Sequence, residues 1–519
     1  MNDIELSLRQ VKPVRIAVLA RSALNAWALW VPLAAVGVAG AVLRLWRLGD
    51  PGFNSDEAVY AGQAASIAGD HDLSPYFPIF RAHPLLFQAM LSLGLRAGAG
   101  PELGRVLSAA FGLATIYLVY ELGRLVFDRR TGLIAAAFLA VMPYHVVVAR
   151  QMLLDIPMTF FTTLTLYLIA RFAMSGRPVL LYGAGGAMGL SLLSKETSFL
   201  LLGAAYAFFA LAPEVRLRGR DIALSLGVML LVVSPYVLSV RFAGEQRTGQ
   251  NYLVWQLFRR PNHDWTFYGD ILPLAIGPLV IVAAVAGLWL FRASRSWRET
   301  LLVAWIVTPI AFFELWPVKG FQYLLPIAPA FAVLAGRTVA RLPQAIEAIR
   351  RRSWLVPAVA ALVALTLAVP TWARIHPSES QSLLAGSGGV PGGREAGKWL
   401  DENVPVGSKV FAVGPSMANI VQFYGHRKAY GLSVSPNPLH RNPAYEPIRN
   451  PDLWIRRNEV QYLIWDTFSA DRSPFFAARL LRFVDRYNGR AVHTETVLVE
   501  TAEGKQIHRP IIVIYEVHP

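Results

Sequence analysis

Apolar runs of about 20 residues recur along most of this chain, separated by short segments in which nearly all the charge collects. A helix needs such a run to cross the ~30 Å hydrocarbon core of a bilayer at 1.5 Å per residue. The first extends from Ala26 to Leu45. Composition agrees, because 54% of the 519 residues are hydrophobic and only 16% are charged. Mean hydropathy is positive, at +0.41. The expected fold class is a polytopic α-helical membrane protein.

Further spans are expected near Leu103–Phe127, Leu133–Ala149, Ile156–Phe172, Leu180–Leu193, Thr197–Leu211, Ala223–Val240, Ile271–Phe291, Leu301–Trp316, Phe321–Ala340 and Trp354–Trp372. The segment Pro84–Leu95 is apolar but short, and reads as interfacial or re-entrant. Arginines cluster at Arg124, Arg129 and Arg130, at Arg216, Arg218 and Arg220, and at Arg350, Arg351 and Arg352. If Pro84–Leu95 does not cross, all of these loops share one face, as positive-inside bias requires. The +15 formal charge is therefore read as topology, and no nucleic-acid partner is expected. The expected localisation is the cell (plasma) membrane, multi-pass. The N-terminus is then cytoplasmic, and the C-terminal region extracytoplasmic. No cysteine is present, which excludes disulfides, thiolate metal sites and cysteine nucleophiles.

After Trp372 the composition changes. A Gly- and Pro-rich linker at Ser387–Gly393 leads to an expected helix at Arg394–Glu402, a strand at Lys409–Val413 and a helix at Ser416–Tyr424. A strand at Gln461–Trp465, a helix at Phe475–Tyr487 and strands near Val492–Val499 and Ile511–Val517 should follow. The alternation predicts a soluble α/β domain at 376–519 behind a transmembrane domain at 1–375. No glycine-rich phosphate fingerprint is visible in it.

Chemistry concentrates in the loops assigned to the outer face. Directly after the first span, Phe53-Asn54-Ser55-Asp56-Glu57-Ala58-Val59-Tyr60 places two carboxylates at the start of a helix expected over Asp56–Ala68. A second short helix is expected over Pro75–Phe80. Acids in a first turn suit the helix dipole, so capping is as good a reading of Asp56 as catalysis. Asp155 lies in a short turn with Arg150, and Pro157 suits a helix start. Lys195 and Glu196 interrupt an apolar stretch, either as a boundary ion pair or with the lysine placed for a phosphate. His83 precedes Pro84 and reads as a solvated loop histidine or an anion contact. Glu314 and Lys319 flank Leu315–Val318 at a span end, where snorkelling also explains the lysine. The stretch Arg259-Arg260-Pro261-Asn262-His263-Asp264-Trp265-Thr266-Phe267-Tyr268 mixes cations with interfacial aromatics.

The order of these motifs carries a resemblance. Ser55–Ala61 and His83-Pro84-Leu85-Leu86-Phe87 are followed by Gly104-Arg105-Val106-Leu107-Ser108, Gly123–Phe127, Arg150–Pro157, Leu193-Ser194-Lys195-Glu196 and Gln322-Tyr323-Leu324-Leu325-Pro326. The set resembles the membrane-embedded glycosyltransferases of the GT-C type, in the protein O-mannosyltransferase and lipid A aminoarabinose transferase branch, over roughly Ala26 to Ala340. The fold implied is GT-C-like, with about 11–13 transmembrane helices and a C-terminal soluble α/β domain. The activity implied is a polyprenyl-phosphate-sugar-dependent hexosyl- or pentosyltransferase. It would move sugar to a hydroxyl of a protein, lipid or glycan acceptor on the outer face, with inversion. By the same resemblance Asp56 is the catalytic carboxylate and Asp155 a second acid facing the same cavity. Substrate binding falls to Glu57, Tyr60, His83, Arg150, Lys195, Arg259, His263, Tyr268, Glu314, Lys319 and Tyr323. His83 stands where many relatives have lysine, and Lys195-Glu196 departs from a common lysine-glycine. A divalent metal is left open as a cofactor. The competing readings are a multi-span transporter or lipid flippase and a non-catalytic scaffold. Against the first, the ionisable residues gather at one face rather than at the midplane.

Overall fold

The computed structural model describes residues 30–243, 255–256, 258–352, 354–376, 390–500 and 505–519. The start of the first expected span, much of the 241–270 loop and the linker residues Ser387–Gly389 lie outside the described residues.

Every expected span coincides with a helix or a bent helix pair. By length and composition, 5 single helices among the described residues can cross a membrane, or up to 7 if each bent pair counts as one. Trp30–Leu45, Pro178–Ser194 and Glu196–Leu211 are apolar but shorter. Helix Gly219–Phe242 buries almost none of its apolar surface, with Leu231 and Phe242 both exposed. Such a face suits hydrocarbon rather than water.

Two expected spans are broken. Arg129–Val141 and Pro143–Ala149 meet at 58°. Pro143 has no N–H to give the carbonyl four residues back, so the break frees acceptors at Leu139 and Ala140. Arg44, wholly buried, takes them over: Nη1 donates to Ala140 O at 2.9 Å and Nη2 to Leu139 O at 3.4 Å. Phe267–Ile276 and Pro278–Leu290 meet at 97°. Gly277 forms that corner with φ of +95°, and a Cβ there would come within 2.2 Å of Leu367. Glycine followed by proline is thus required at the corner.

Between the first two spans, helix Ser55–Ala68 starts in a capping box at Asn54. Helix Leu86–Arg96 has 11 residues, about 16 Å of rise, too short to cross. The expected helix over Pro75–Phe80 does not form. Asp70 Oδ1 accepts from Asp72 N and Leu73 N to set consecutive turns, and Pro75 and Pro78 remove the donors a helix would need. Phe77 instead packs on Gly62, where a Cβ would lie 2.3 Å from its ring.

The C-terminal sheet has the order β2-β1-β3-β5-β4, with β1 Lys409–Ala412, β2 Lys428–Gly431, β3 Val460–Asp466, β4 Arg490–Glu500 and β5 Gln506–Glu516. Strand β1 runs parallel to β2 and β3, and β5 is antiparallel to β3 and β4. Alternation divides the core into two layers. Val410 and Ala412 face helices Gly393–Asn403 and Pro415–Tyr424, while Phe411 and Val413 face helix Pro474–Arg486.

At the end of β3, Asp466 caps the following helix by accepting from Ser469 N at 2.7 Å. Burial pushes its carboxyl up to about 6. The native state therefore holds a proton that the unfolded chain releases near 4. Stability is fullest below that pH and falls as pH rises through about 6, by roughly 3 kcal/mol. Asp466→Asn keeps the capping oxygen without the charge. Its melting-temperature advantage over the native chain is expected to grow from pH 4 to pH 7; an advantage constant with pH would refute this.

Candidate active site

The acidic pair after the first span separates completely in three dimensions. Asn54 Oδ1 accepts from both Asp56 N and Glu57 N, which fixes the first helical turn. Glu57 then turns inward. Its Oε1 accepts from Arg105 Nε at 2.7 Å and Met152 N at 2.9 Å, and its Oε2 from Arg105 Nη2 at 2.8 Å and Asn54 N at 3.1 Å. Asp56 turns outward into a cavity of about 810 Å³, and its carboxylate makes no hydrogen bond or ion pair with any described residue.

The other acids nearby are engaged. Both oxygens of Asp155 accept from Lys195 Nζ, at 2.9 and 2.8 Å, and both side chains are buried. Glu196 pairs with His83, whose Nδ1 lies 2.9 Å from Oε2. Lys195 and Glu196, adjacent in sequence, therefore serve different partners. Extended backbone at Lys195, φ −157° and ψ 128°, ends helix Pro178–Ser194 and directs the two side chains apart. Lys195, His83 and Glu196 line the cavity with Asp56 and Tyr60.

A second wall comes from the turn after helix Trp297–Leu315. Asn262 clasps Lys319 at both backbone groups, at 2.8 Å each, and the Tyr268 hydroxyl meets Gly320 at 3.3 Å. Lys319 Nζ donates to Glu314 O at 2.6 Å and lies 3.7 Å from Glu314 Oε2. Arg259, His263, Lys319 and Tyr323 line the cavity. His263 stacks on Phe267 at 4.1 Å; burial, and then Arg472, hold its imidazole below the ordinary value.

The structure thus gathers Asp56, Tyr60, His83, Lys195, Arg259, His263, Lys319 and Tyr323 on one cavity. Glu57, Asp155, Arg150, Tyr268 and Glu314 stand outside its lining. Arg150 ties down the end of the first span, donating to Leu43 O at 3.1 Å.

The sequence family described as Dolichyl-phosphate-mannose-protein mannosyltransferase matches residues 82–238. An uncharacterized protein of Aquifex aeolicus is 26% identical over 54% of this chain and 58% of its own length. An undecaprenyl phosphate-alpha-4-amino-4-deoxy-L-arabinose arabinosyl transferase of Pectobacterium carotovorum is 26% identical over 48% of each. The chain spans about half the length of these curated relatives. ArnT from Cupriavidus metallidurans superposes with a TM-score of 0.68 and 16% identity, over 95% of this chain and 98% of that one. The chain has the GT-C glycosyltransferase fold. The same ArnT bound to undecaprenyl phosphate gives a TM-score of 0.64, with 16% identity over 94% of this chain and 98% of that one. The archaeal oligosaccharyltransferase AglB from Archaeoglobus fulgidus gives 0.57, with 15% identity over 93% and 74%.

On this GT-C fold the sequence reading missed the contribution of the soluble region. Ser433, His440, Arg441, Tyr445 and Arg472 form the opposite wall of the cavity, beyond the carboxyl ends of β1, β2 and β3, where open α/β sheets bind ligands. Arg81 was also missed. It is buried between Asn419 and Tyr445 and feels the charge of Asp56. For a divalent metal the residues fit poorly. Among the described residues no group of three or more His, Asp or Glu converges, and Asp155 is already held at both oxygens by Lys195.

Proposed function

We propose that this chain is a glycosyltransferase that moves a sugar from a polyprenyl-phosphate-linked donor to an acceptor hydroxyl on the outer face of the membrane, with inversion. The observation that carries this reading is Asp56: one uncommitted carboxylate facing a cavity lined by Lys195, Arg259, Lys319, Arg441 and Arg472. The ArnT structure containing undecaprenyl phosphate supports the donor class, and the arginine-rich alternate loops support the orientation.

The acceptor oxygen attacks the anomeric carbon as the bond from that carbon to the phosphate oxygen breaks. The acceptor proton passes to the Asp56 carboxylate. Polyprenyl phosphate departs as an anion, and the cations facing the cavity stabilise the charge that develops on it. A single displacement needs one base and one phosphate clamp, which matches one open acid among several paired ones. Asp155 acts through Lys195, holding the ammonium still by two charge-assisted hydrogen bonds. The lipid tail lies in the bilayer beside the helices, and the soluble region at 376–519 roofs the acceptor side.

The test is release of polyprenyl phosphate with matching transfer of sugar to an acceptor by the purified protein. Lys195→Met is expected to lower kcat about 10²- to 10³-fold, the scale set by losing one donor to developing charge. Adding Asp155→Asn should restore thermal stability without restoring turnover. Movement of intact donor with no release, or native turnover in Lys195→Met, would overturn the reading.

A further inference from the structure

One side chain that links the soluble domain to the catalytic loop is Asn419, on helix Pro415–Tyr424 and almost fully buried. Its Nδ2 donates to Ser55 Oγ at 2.9 Å and approaches the Tyr445 hydroxyl at 3.5 Å, while its Oδ1 accepts from Arg81 Nη2 at 3.2 Å. Both amide hydrogens and one acceptor lone pair are therefore used. Each partner bears on the proposed base. Ser55 is the residue before Asp56 in the first turn of helix Ser55–Ala68. Arg81 lies close enough to Asp56 for the two charges to interact. Tyr445 lines the cavity from the soluble side, and the Arg81 guanidinium lies 5.3 Å from its ring.

We propose that Asn419 is a positioning residue for Asp56, so that the soluble domain is a working part of the transferase site rather than an appendage. The inference rests on the reading of Asp56 as the base. A buried amide with fixed partners on three separate segments pins the serine and the arginine together. The carboxylate of the aspartate between them makes no hydrogen bond with any described residue that would fix its direction. Precision of this kind affects turnover more than donor binding, because a displacement of about 1 Å in a reacting group costs on the order of 100-fold in rate.

The experiment compares Asn419→Ala, Ser55→Ala, the double variant, Asn419→Asp and Tyr76→Phe in the full chain, using a polyprenyl-phosphate sugar as donor. Asn419→Ala should lower kcat about 10- to 100-fold with donor KM unchanged. Asn419→Asp keeps the acceptor for Arg81 but cannot donate to Ser55, and should fall between. If Asn419 acts through Ser55, the double variant is no slower than Asn419→Ala alone. Tyr76→Phe keeps the ring and removes another link between the domains, the hydroxyl donating to His426 O at 2.8 Å rather than to Ser55 or Arg81, and should keep native kcat. Native kcat in Asn419→Ala, an equal loss in Tyr76→Phe or additive losses in the double variant would overturn the proposal. If Asn419→Ala does not fold, Ser55→Ala alone decides, since native turnover there refutes the link. Asp56→Asn runs alongside: activity surviving in that variant refutes the base, whereas its loss with normal Asn419→Ala refutes only the positioning role.

Discussion

Asp56→Asn is expected to lower kcat by about 10²- to 10⁴-fold, the range for removing a positioned general base, while donor affinity and melting temperature stay close to native. The argument comes from occupancy. Of the carboxylates around Asp56, Glu57 is held by Arg105, Asp155 by Lys195 and Glu196 by His83. Asp56 alone among them presents oxygens to the cavity without a described partner. Asparagine keeps the shape and the backbone cap from Asn54 Oδ1, so a fall in turnover reports the lost proton acceptor. Transfer assays under saturating donor measure it, and turnover within threefold of native would remove Asp56 from the chemistry.

Arg105→Met is expected to have its large effect on stability instead, about 3–5 kcal/mol. Arg105 donates to Leu48 O, Pro51 O and Gly52 O as well as to both Glu57 oxygens, all within 3.0 Å, which uses the whole guanidinium. It also lies over the Phe53 ring at 4.8 Å. Methionine would fill the space but leave the Glu57 carboxylate buried without its cation. Thermal unfolding in detergent should show a large drop, and adding Glu57→Gln should recover part of it. Glu57→Gln alone should keep most of its turnover per folded molecule. If it loses turnover as Asp56→Asn does, Glu57 belongs to the reaction and the separation of the acidic pair is wrong.

The resemblance singled out Asp56 for catalysis but kept Glu57 at the substrate, and the local residues gave no sign that Glu57 turns away from the cavity. Two neighbouring acids at a helix start look alike, and only the distant Arg105 and Met152 N decide which one turns inward. Lys195 and Glu196 were ambiguous for the same reason, because each finds a partner 40 or 113 residues away. The spans were legible because bilayer thickness imposes a run length on the chain. The corner at Gly277-Pro278 was hidden because the apolar composition continues straight through it. In the soluble region, alternation marked β1, β3, β4 and β5. Strand β2 is as short as β1, but it holds only Ala429 and Tyr430 between Lys428 and Gly431, too little for an apolar run to register. Asn419 lies 364 residues from Ser55, and nothing local distinguishes it from any polar residue on a helix.

The seam between the two regions also sets an order in time. Phe53 N donates to the Tyr424 hydroxyl across 371 residues, and Arg394 reaches back to the carbonyls of Gly49 and Asp50. At about 5–20 residues per second, the ribosome needs roughly 20–70 s between making the two sides of that seam. The loop bearing Asp56 is therefore inserted early and remains incomplete until the soluble domain folds and docks on it. A chain interrupted before Tyr424 would carry every membrane-side residue of the cavity without Ser433, His440, Arg441, Tyr445 and Arg472 opposite them, and is expected to be silent.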